Sequence, residues 1–378
     1  MRKGWEYKKL GEVCDVINGL WIGKKEPFIN VAVIRNTNFS KDCQLNLDKV
    51  AFIDVEVKQF ASKKLKFGDI IIEKSGGSEK QPVGRPILFN ISDGNYSFSN
   101  FTSTLRIKDN TEVNSAYLHK CLYAFYLKGE TIKLQSKTTG LHNLNIKGYL
   151  RLNIPLPPLS TQLAIVSELD KINELIRLKK EQLKDFDNLA QSLFYEMFGD
   201  PVENEKGWEV KKLGEICEIF AGGDKPKDMC EIQNNEYIYP VIANGEGEKG
   251  ILGYTKNCRV TKEAVTIGAR GASIGNCRIV KNGFTPAIRL LTLIPTGSID
   301  CCFLYYFVKD LNYKQNGAGQ AQLTVPNIKC EFIPLPPLPL QRLFAQRIEQ
   351  IEREKSEVQK SIQDLETLLA SRMQYWFE

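Results

Sequence analysis

The chain has 378 residues, 42% of them hydrophobic and 25% charged, which is the composition of a folded globular protein with room for two or three domains. No apolar run approaches the roughly 18 residues that a membrane-spanning helix needs, which excludes a membrane-embedded protein. The ten cysteines are scattered and form no Cys-x-x-Cys pair, which argues against a disulfide framework or a zinc finger. We therefore expect reduced thiols and a cytoplasmic location.

Positive charge is concentrated in the first part of the chain. The net charge is +6, yet residues 1–150 hold 23 lysines and arginines against 15 acidic residues, whereas residues 200–332 hold 16 of each. A basic domain is typical of a protein that binds nucleic acid. The alternative is that these charges belong to an ordinary solvated surface that binds no nucleic acid.

Two mixed α/β segments follow each other along the chain. In the first, apolar runs between glycine and asparagine turns predict short strands at AVIRNTNF, GDIIIEKSGG, GRPILFN and STLRIKD, and a helix over 114–127. In the second, the same pattern occurs at YPVIANGEGEKGILGYT, AVTIGARGASIGNCRIV and AIRLLTLIP, with a helix over 301–310. Each segment therefore reads as a β-rich domain that ends in a helix.

Two motifs occur twice and frame these segments. GWEYKKLGEVCD at 4–15 returns as GWEVKKLGEICE at 207–218, and the hexamer IPLPPL occurs at 154–159 and again at 333–338. The first pair is separated by 203 residues and the second by 179, so the copies differ most in their middles. The chain is interpreted as a tandem duplication in which the ends are kept and the middles have diverged.

The hexamer is expected to form a rigid joint. Proline fixes the backbone and has no N–H, so the segment is predicted to end the strand ladder and to set the direction in which the chain leaves the domain. A ligand for a proline-reading domain is the alternative.

A long helix is predicted after each hexamer. Apolar residues recur at three- and four-residue intervals, and Lys179 and Lys355 interrupt the pattern once in each copy. The members of this heptad seam are Ile172, Ile176, Leu183, Phe186, Ala190, Leu193 and Met197 in the first helix and Ile348, Ile351, Val358, Ile362, Leu365 and Leu369 in the second. Neither helix can bury such a stripe alone, so we expect an antiparallel pair; the alternative is that each packs only on its own domain. Ser160 or Thr161 is expected to cap the first helix, and Pro339 to lie in the first turn of the second.

Glycine-rich loops between the predicted strands are candidates for contact with DNA. Loops 73–85 and 268–275 combine glycine and serine with lysine or arginine. Glycine lets a backbone approach phosphate closely, and arginine or asparagine can form paired hydrogen bonds with base edges. The DNA-binding candidates are Lys74, Ser75, Gly76, Lys80, Arg85, Asn244, Arg270 and Ser273. Each loop taken singly could equally be a plain turn.

This arrangement resembles the specificity subunit of a type I restriction–modification system. The resemblance covers essentially the whole chain and rests on the two Gly-Trp-Glu openings, the two IPLPPL hexamers followed by Gln and a long helix, and segments such as GDIIIEKSGG and TIGARGASIG. It implies a bipartite double-stranded DNA target, one half read by each variable domain, with two helices as the spacer. It also implies two methylation subunits and restriction subunits as partners. S-adenosylmethionine, ATP and Mg are then expected on the partner subunits, and no cofactor or metal on this chain.

The predicted fold class is therefore α/β (α+β), with two β-rich target recognition domains separated by two long antiparallel coiled-coil helices in a pseudo-twofold tandem repeat. The predicted domains are target recognition domain 1 (1–153), the first spacer helix region (154–199), target recognition domain 2 (200–332) and the second spacer helix region (333–378).

No catalytic constellation is recognised in the sequence. His119 lies in an apolar helical stretch and is interpreted as structural. Asp69, Glu73 and Lys74 are the residue types of a nuclease site, but Glu73 and Lys74 are adjacent and so cannot share one face of a strand. No phosphate-binding Gly-x-x-x-x-Gly-Lys loop occurs. We expect a non-catalytic subunit that reads DNA sequence and directs its partners. An enzyme that modifies DNA alone and a scaffold that binds no nucleic acid stay open as alternatives.

Overall fold

The computed structural model describes residues 4–21, 23, 25–138, 141–245, 247–311 and 322–378. The chain divides into two compact units, of which the first is Met1–Leu178 together with Ile362–Glu378 and the second is Lys179–Ser361. Each unit holds one β-rich module and parts of both long helices. The long helices are thus shared between units rather than forming separate bodies.

The module of the first unit begins with the Gly-Trp-Glu motif and ends with the hexamer. Its elements are β1 (Glu6–Lys9), α1 (Leu10–Val13), β2 (Cys14–Asn18), β3 (Phe28–Ile34), β4 (Ala51–Glu56), α2 (Val57–Lys63), β5 (Ile70–Glu73), β6 (Ser75–Gly77), β7 (Pro86–Leu88), β8 (Tyr96–Phe98), β9 (Thr102–Ile107), α3 (Ser115–Leu127), β10 (Gln135–Thr138), β11 (Leu141–Leu144), α4 (Ile146–Tyr149) and β12 (Asn153–Leu156), after which α5 (Leu159–Phe198) begins. The predicted helix over 114–127 is confirmed as α3. The side chain of Asn114 caps it by accepting a hydrogen bond from the N–H of Tyr117.

The module of the second unit repeats this order with fewer elements between its ends. They are β13 (Glu209–Lys212), α6 (Leu213–Ile216), β14 (Cys217–Ala221), β15 (Tyr239–Ile242), β16 (Ile251–Thr255), β17 (Ala264–Ile267), β18 (Cys277–Val280), β19 (Thr285–Pro286), β20 (Leu291–Pro295), α7 (Cys301–Asp310), α8 (Val325–Lys329) and β21 (Phe332–Leu335), followed by α9 (Leu338–Phe377). The helix predicted over 301–310 is confirmed as α7, and Asp300 caps it.

The two modules have the same sheet topology. A four-stranded antiparallel sheet has the order β2–β9–β5–β7 in the first unit and β14–β20–β17–β18 in the second. A three-stranded sheet has the order β4–β3–β8 in the first unit and β16–β15–β19 in the second, and the last pair is parallel in both. The first unit also contains the sheet β10–β11–β6. Because the topology repeats, positions in the two modules can be matched through strand register.

The core of each module lies between its four-stranded sheet and the helix that follows the sheet. In the first unit Ile70, Ile72 and Leu105 of the sheet cluster with buried residues of α3. In the second unit Val265 and Leu293 cluster with buried residues of α7. Burying such apolar side chains contributes about 1.5–3 kcal/mol each relative to leaving them exposed. Each sheet is therefore fixed on one face, and its loops project from a rigid support.

The first half of each hexamer forms a strand, and the ladder ends before its two consecutive prolines, so the prediction that the hexamer cannot continue a ladder is wrong for Pro155 and Pro334. β12 pairs antiparallel with β1, so that Pro155 lies opposite Tyr7, and β21 pairs with β13, so that Pro334 lies opposite Val210. Both ladders have two strands, and proline is tolerated on a strand whose N–H would face away from its partner. The two repeated motifs are therefore each other's partners within a unit, which explains why both recur.

A buried glutamine fixes the joint between each module and its long helix. In the first unit the Gln162 side chain accepts a hydrogen bond from the N–H of Asn114 at 2.9 Å and donates to the carbonyls of Pro157 at 2.9 Å and Glu112 at 2.8 Å. In the second unit the Gln341 side chain accepts from the N–H of Asp300 at 2.8 Å and donates to two carbonyls, those of Pro336 at 2.7 Å and Ser298 at 3.4 Å. Both side chains are fully buried. Each glutamine therefore ties the N-cap of the module's own helix to the first turn of the long helix.

Both long helices are 40 residues in length and pair antiparallel. In the first unit Arg372 of α9 forms an ion pair with Glu168 of α5. In the second unit Lys355 of α9 forms an ion pair with Asp187 of α5 at 2.8 Å, and the rings of Phe194 and Phe344 meet edge to face. In the second unit the partner that lies later on α5, Phe194, meets the residue that lies earlier on α9, Phe344, which is the predicted antiparallel arrangement.

The seam itself is buried as the heptad pattern predicts, with one correction at the start of α5. Its most buried members are Ile172, Ile176, Ala190, Ile348, Ile351, Val358 and Ile362. The predicted cap at Ser160 or Thr161 is wrong, because α5 begins at Leu159 and the carbonyl of Pro158 already accepts from the N–H of Thr161. Pro339 lies in the first turn of α9, as predicted. No helix in the described ranges has the length and apolar character needed to cross a membrane.

Candidate nucleic-acid interface

In the second unit, the loops that follow β14, β15, β17 and β19 are joined at one end of the sheets. The N–H of Gly222, after β14, donates to the carbonyl of Leu290 at 2.8 Å, and the N–H of Ala287, after β19, donates to that of Ile242 at 2.8 Å. Gly222 packs so closely that a Cβ there would lie 2.7 Å from the backbone of Ala287. Only glycine allows this approach, so these loops form one continuous surface.

Asn244 cross-links three of these loops. Its Oδ1 accepts a hydrogen bond from the N–H of Ala269 at 2.7 Å, and its Nδ2 donates to the carbonyl of Ile288 at 2.7 Å. Asn244 is a DNA-binding candidate from the sequence, but its amide is already engaged on both sides. In this structure it positions the loops after β17 and β19 rather than offering a free pair of hydrogen bonds to a base.

The turn after β19 has an unusual backbone. Ile288 and Arg289 are consecutive non-glycine residues with positive φ, of +49° and +59°. Such a conformation costs about 1–3 kcal/mol per residue, and most of all for a β-branched side chain. It is held in place because the N–H groups of Ile288 and Arg289 donate to the carbonyls of Gly223 and Gly222 at 2.8 Å and 3.1 Å. The turn is therefore both strained and rigid.

Two other candidates of the second unit lie on the loop after β17. Arg270 is exposed, and its Nη2 donates to the side chain of Gln322 at 3.3 Å. Ser273 is half-buried, and its carbonyl lies so close to Gly268 that any side chain there would collide with it. The structure brings Arg270 to the loop surface and gives Ser273 a role in shaping the loop.

Arg278 holds the loop after β15 through hydrogen bonds to two of its carbonyl groups. Its guanidinium donates to the carbonyl of Gly247 at 2.6 Å and to that of Gly245 at 3.4 Å. Burial lowers the pKa of Arg278 from its usual value, yet an arginine stays charged at neutral pH. The guanidinium of Arg278 is therefore engaged in holding the loop after β15.

The first unit has an equivalent asparagine, Asn36, directly after β3. Its Nδ2 donates to the carbonyl of Ser75 at 2.6 Å and to Oε1 of Glu73 at 3.1 Å. Asn36 therefore ties the loop after β3 to the loop after β5, as Asn244 ties the loop after β15 to the loop after β17. The shared sequence signal is VI-x-N in VIRN and VIAN.

The segment that follows β5, which includes the short strand β6, carries most of the candidates of the first unit. Lys74 and Ser75 are half-buried, whereas Gly76 and Lys80 are exposed. Gly76 has φ of +101°, a backbone that favours glycine. The N–H groups of Lys74 and Ser75 both donate to the carbonyl of Phe101, at 2.9 Å and 3.0 Å, which joins this loop to the turn after β8.

Two lysines give this loop surface its positive potential. Burial lowers the pKa of Lys74, and burial followed by the charge of Lys74 lowers the pKa of Lys63. Among the residues that the structure describes, neither has a carboxylate within ion-pair distance. An anion brought to this surface would therefore meet uncompensated positive charge.

Arg85 is predicted from the sequence to contact DNA, but the structure places it in the interior. Its side chain is 4% exposed, and its Nε donates to Oε2 of Glu73 at 2.7 Å. The guanidinium also donates to the carbonyl of Phe39 at 3.2 Å. A buried arginine that is paired in this way supports the loop from below, so we do not retain it as a contact residue.

The rings of both histidines contact polar groups of the protein itself. His119 is buried in α3 with its Nε2 3.2 Å from the carbonyl of Pro86, and burial lowers its pKa to about 4. The ring of His142 contacts the side chain of Gln135 at 2.9 Å. Within the described residues no group of three or more His, Cys, Asp or Glu side chains is placed to hold a metal ion. All ten cysteines are free thiols.

Several residues of the loop surfaces were missed by the sequence analysis. They are Asn36, Asn100, Phe101, Ile288 and Arg289, which lie at the ends of β3, β8 and β19. Only Asn36 could have been found, by matching VIRN to VIAN. Nothing in AIRL indicates a left-handed turn, because that conformation depends on contacts with Gly222 and Gly223.

These observations define a class of protein: a tandem-repeat recognition protein, in which two modules of one topology carry different loop surfaces and are joined by a pair of long helices. Comparison with known protein families identifies the family to which this chain belongs. A family model described as the type I restriction modification DNA specificity domain matches residues 2–185 and 205–367. The chain belongs to this family of DNA specificity domains.

Individual relatives agree with this assignment. A putative type I specificity subunit from Mycoplasma pneumoniae is 28% identical over 277 residues, covering 67% of this chain and 77% of that protein. Another from the same organism is 30% identical over 257 residues, covering 67% and 68%. A putative type I restriction enzyme specificity subunit from Methanocaldococcus jannaschii is 22% identical over 405 residues, covering 97% and 92%.

Two solved structures have a similar fold. One comes from a study of complex assembly and conformational transition in a type I restriction–modification system, and it matches with a TM-score of 0.65 at 20% identity over 100% of this chain and 98% of that chain. The other is the specificity subunit from M. genitalium, with a TM-score of 0.57 at 17% identity over 98% and 95%. Both likenesses concern the fold.

Proposed function

We propose that this chain is the sequence-reading subunit of a type I restriction–modification complex. It reads a bipartite DNA target, with one half recognised by the loop surface of each unit, and it directs methylation and restriction subunits to that target. The observation that carries the proposal is the matched pair of modules. Their topology and their cross-linking asparagines, Asn36 and Asn244, agree, whereas the side chains presented at the loops differ. Such a design lets one scaffold recognise two different sequences.

The chain supplies recognition, and its partners supply chemistry. We propose two methylation subunits, one for each half of the tandem repeat, and restriction subunits in the complete complex. S-adenosylmethionine, ATP and Mg would bind to those partners and not to this chain. The complex would act on DNA in the cytoplasm. Stoichiometric binding of S-adenosylmethionine to the isolated chain would contradict this division of labour.

The decisive test uses the chain assembled with its methylation partner. Methylated sites would be mapped on a DNA library that is randomised in both halves of the target. We expect a single bipartite sequence. Replacing exposed loop residues of one unit, for example with Arg270→Ala, should alter recognition of one half only. If methylation followed no defined sequence, or if Arg270→Ala changed both halves alike, the proposal would be wrong.

A further inference from the structure

The turn before β9 and the turn before β20 occupy the same place in the two modules. In the first unit Ser99, directly after β8, forms a bridge with Leu20; in the second unit Ala287, directly after β19, forms a bridge with Gly223. A two-residue turn follows in both cases and closes with a backbone hydrogen bond, of 3.0 Å in the first unit and 3.1 Å in the second. The turn residues are Asn100–Phe101 in the first unit and Ile288–Arg289 in the second.

We infer that the second residue of this turn, Phe101 or Arg289, contacts a base edge and sets the preferred base at one position of its half-site. The inference deepens the proposed function and rests on it. Arg289 would bind the O6 and N7 atoms of a guanine in the major groove through its planar fork. Phe101 would make an apolar contact with the methyl group of a thymine. One structural position would thus read different bases in the two halves.

The backbone of the second unit supports this role for Arg289. Its own N–H and that of Ile288 are held by Gly222 and Gly223, and the carbonyl of Ile288 accepts from Asn244. A recognition side chain must be carried on a rigid support, because an error of a fraction of an ångström weakens paired hydrogen bonds. Left-handed backbone is also found preferentially at functional sites. Glycine in this turn would relieve the strain, yet positions 288 and 289 hold isoleucine and arginine.

The side chain of Arg289 is available to a ligand. It is exposed, and among the described residues no carboxylate lies within ion-pair distance of it. A second guanidinium, that of Arg259, is exposed beside the same glycines: a Cβ built at Gly223 would lie 3.7 Å from its Nη1. The turn is therefore flanked by positive charge that favours the approach of DNA.

Phe101 is exposed at the matching place in the first unit. Its side chain is 44% exposed, so the ring is accessible to a ligand. A Cβ at Gly76 would lie 3.7 Å from its ring, and its carbonyl holds the N–H groups of Lys74 and Ser75. Phe101 thus sits among the candidates that the sequence places at the DNA surface.

The test compares Arg289→Ala, Arg289→Lys and Phe101→Ala in the complex with the methylation partner, on the same randomised library. Arg289→Ala should lower discrimination at one base pair of one half-site by about 5- to 150-fold and leave the other half-site unchanged. Phe101→Ala should do the same at one base pair of the opposite half-site. Arg289→Lys should also lose discrimination, because lysine keeps the charge but not the fork.

Two further variants keep the result interpretable. The double change Ile288→Gly with Arg289→Gly suits a left-handed turn, so it retains the fold while removing both side chains, and it should lose discrimination as Arg289→Ala does. Lys262→Ala removes an exposed charge that precedes β17 at the opposite end of that strand, and it should leave the half-site preference unchanged.

The inference would be overturned if Arg289→Ala kept the wild-type preference. It would also be overturned if Arg289→Ala weakened all sequences alike and reduced the salt dependence by about one charge, since that is the behaviour of a phosphate contact. Both results require a wild-type complex that methylates a defined bipartite sequence. A wild-type complex that recognises no sequence would refute the proposed function itself.

Discussion

Replacing the buried glutamine of each joint should weaken one unit and leave the other intact. In Gln162→Met the methionine fills nearly the same space but makes no hydrogen bond to the N–H of Asn114 or to the carbonyls of Pro157 and Glu112. A buried polar group that loses its partner costs about 1–3 kcal/mol, and carbonyls lose less because they have a second lone pair. We therefore expect a destabilisation of roughly 2–5 kcal/mol, which is a large share of an ordinary domain's stability.

Gln341→Met is the matched change in the second unit. One of its three hydrogen bonds, to the carbonyl of Ser298, is long at 3.4 Å, whereas those of Gln162 are all 2.9 Å or shorter. Gln341→Met should therefore cost no more than Gln162→Met. Both glutamines are fully buried, so salt should not change either effect.

The assay is amide hydrogen exchange of the full chain, supported by urea unfolding. Gln162→Met should lower the protection of the start of α3, and Gln341→Met that of the start of α7, because each glutamine holds the N-cap of that helix. Each variant is the control for the other. The reasoning fails if either variant unfolds within about 0.5 kcal/mol of wild type, or if protection falls equally in both units.

Three further changes test other parts of the structure. Asn244→Ala should release the loops after β17 and β19, lowering discrimination in one half-site while costing about 1–3 kcal/mol of stability. His119→Gln should flatten the pH dependence of stability: with a folded pKa of about 4 against 6.5 unfolded, the unfolded chain binds the extra proton between these values, so wild-type stability falls by roughly 3 kcal/mol as the pH drops from 6.5 to 4. Arg85→Met should cost about 3–5 kcal/mol, because it leaves the Glu73 carboxylate buried without its partner, and adding Glu73→Gln should recover part of that loss.

Each of these three predictions has an outcome that would contradict it. Methylation mapping in which Asn244→Ala keeps full discrimination would show that the loops hold their shape without it. A His119→Gln variant with the wild-type slope of unfolding free energy against pH would remove the histidine as its cause. Equal stability of Arg85→Met and wild type in urea would mean that the buried ion pair contributes nothing.

Patterns of spacing predicted much of the scaffold. The heptad seam located both long helices and their antiparallel pairing, and the bounds of α7 follow directly from the run CCFLYYFVKD. These features are local or nearly periodic, so a single sequence contains them. The start of α5 was missed by two or three residues, because the helix begins at Leu159 and the carbonyl of Pro158, rather than a serine or threonine, precedes its first turn.

Long-range pairing accounts for what the sequence could not predict. Pro155 is in a strand because a partner strand almost 150 residues earlier lies beside it. Arg85 is buried because Glu73 and the carbonyl of Phe39 surround its guanidinium. Arg289 adopts a left-handed backbone because Gly222 and Gly223 hold it. None of these contacts is visible in residue type alone, and the loop surface is where such contacts decide which side chain faces outward.

The proline in β12 has a consequence for the behaviour of the protein in a crowded solution. A two-stranded ladder leaves open edges, and an open edge invites a strand from another molecule. At Pro155 the outward side of β12 has no N–H to donate, and the outward carbonyl already accepts a hydrogen bond of 2.8 Å from the hydroxyl of Tyr117. At this position the edge can neither donate nor accept the bonds that would extend the ladder, and Pro155 is itself buried. The same residue that shapes the joint thereby closes this point of the edge to a strand from another molecule.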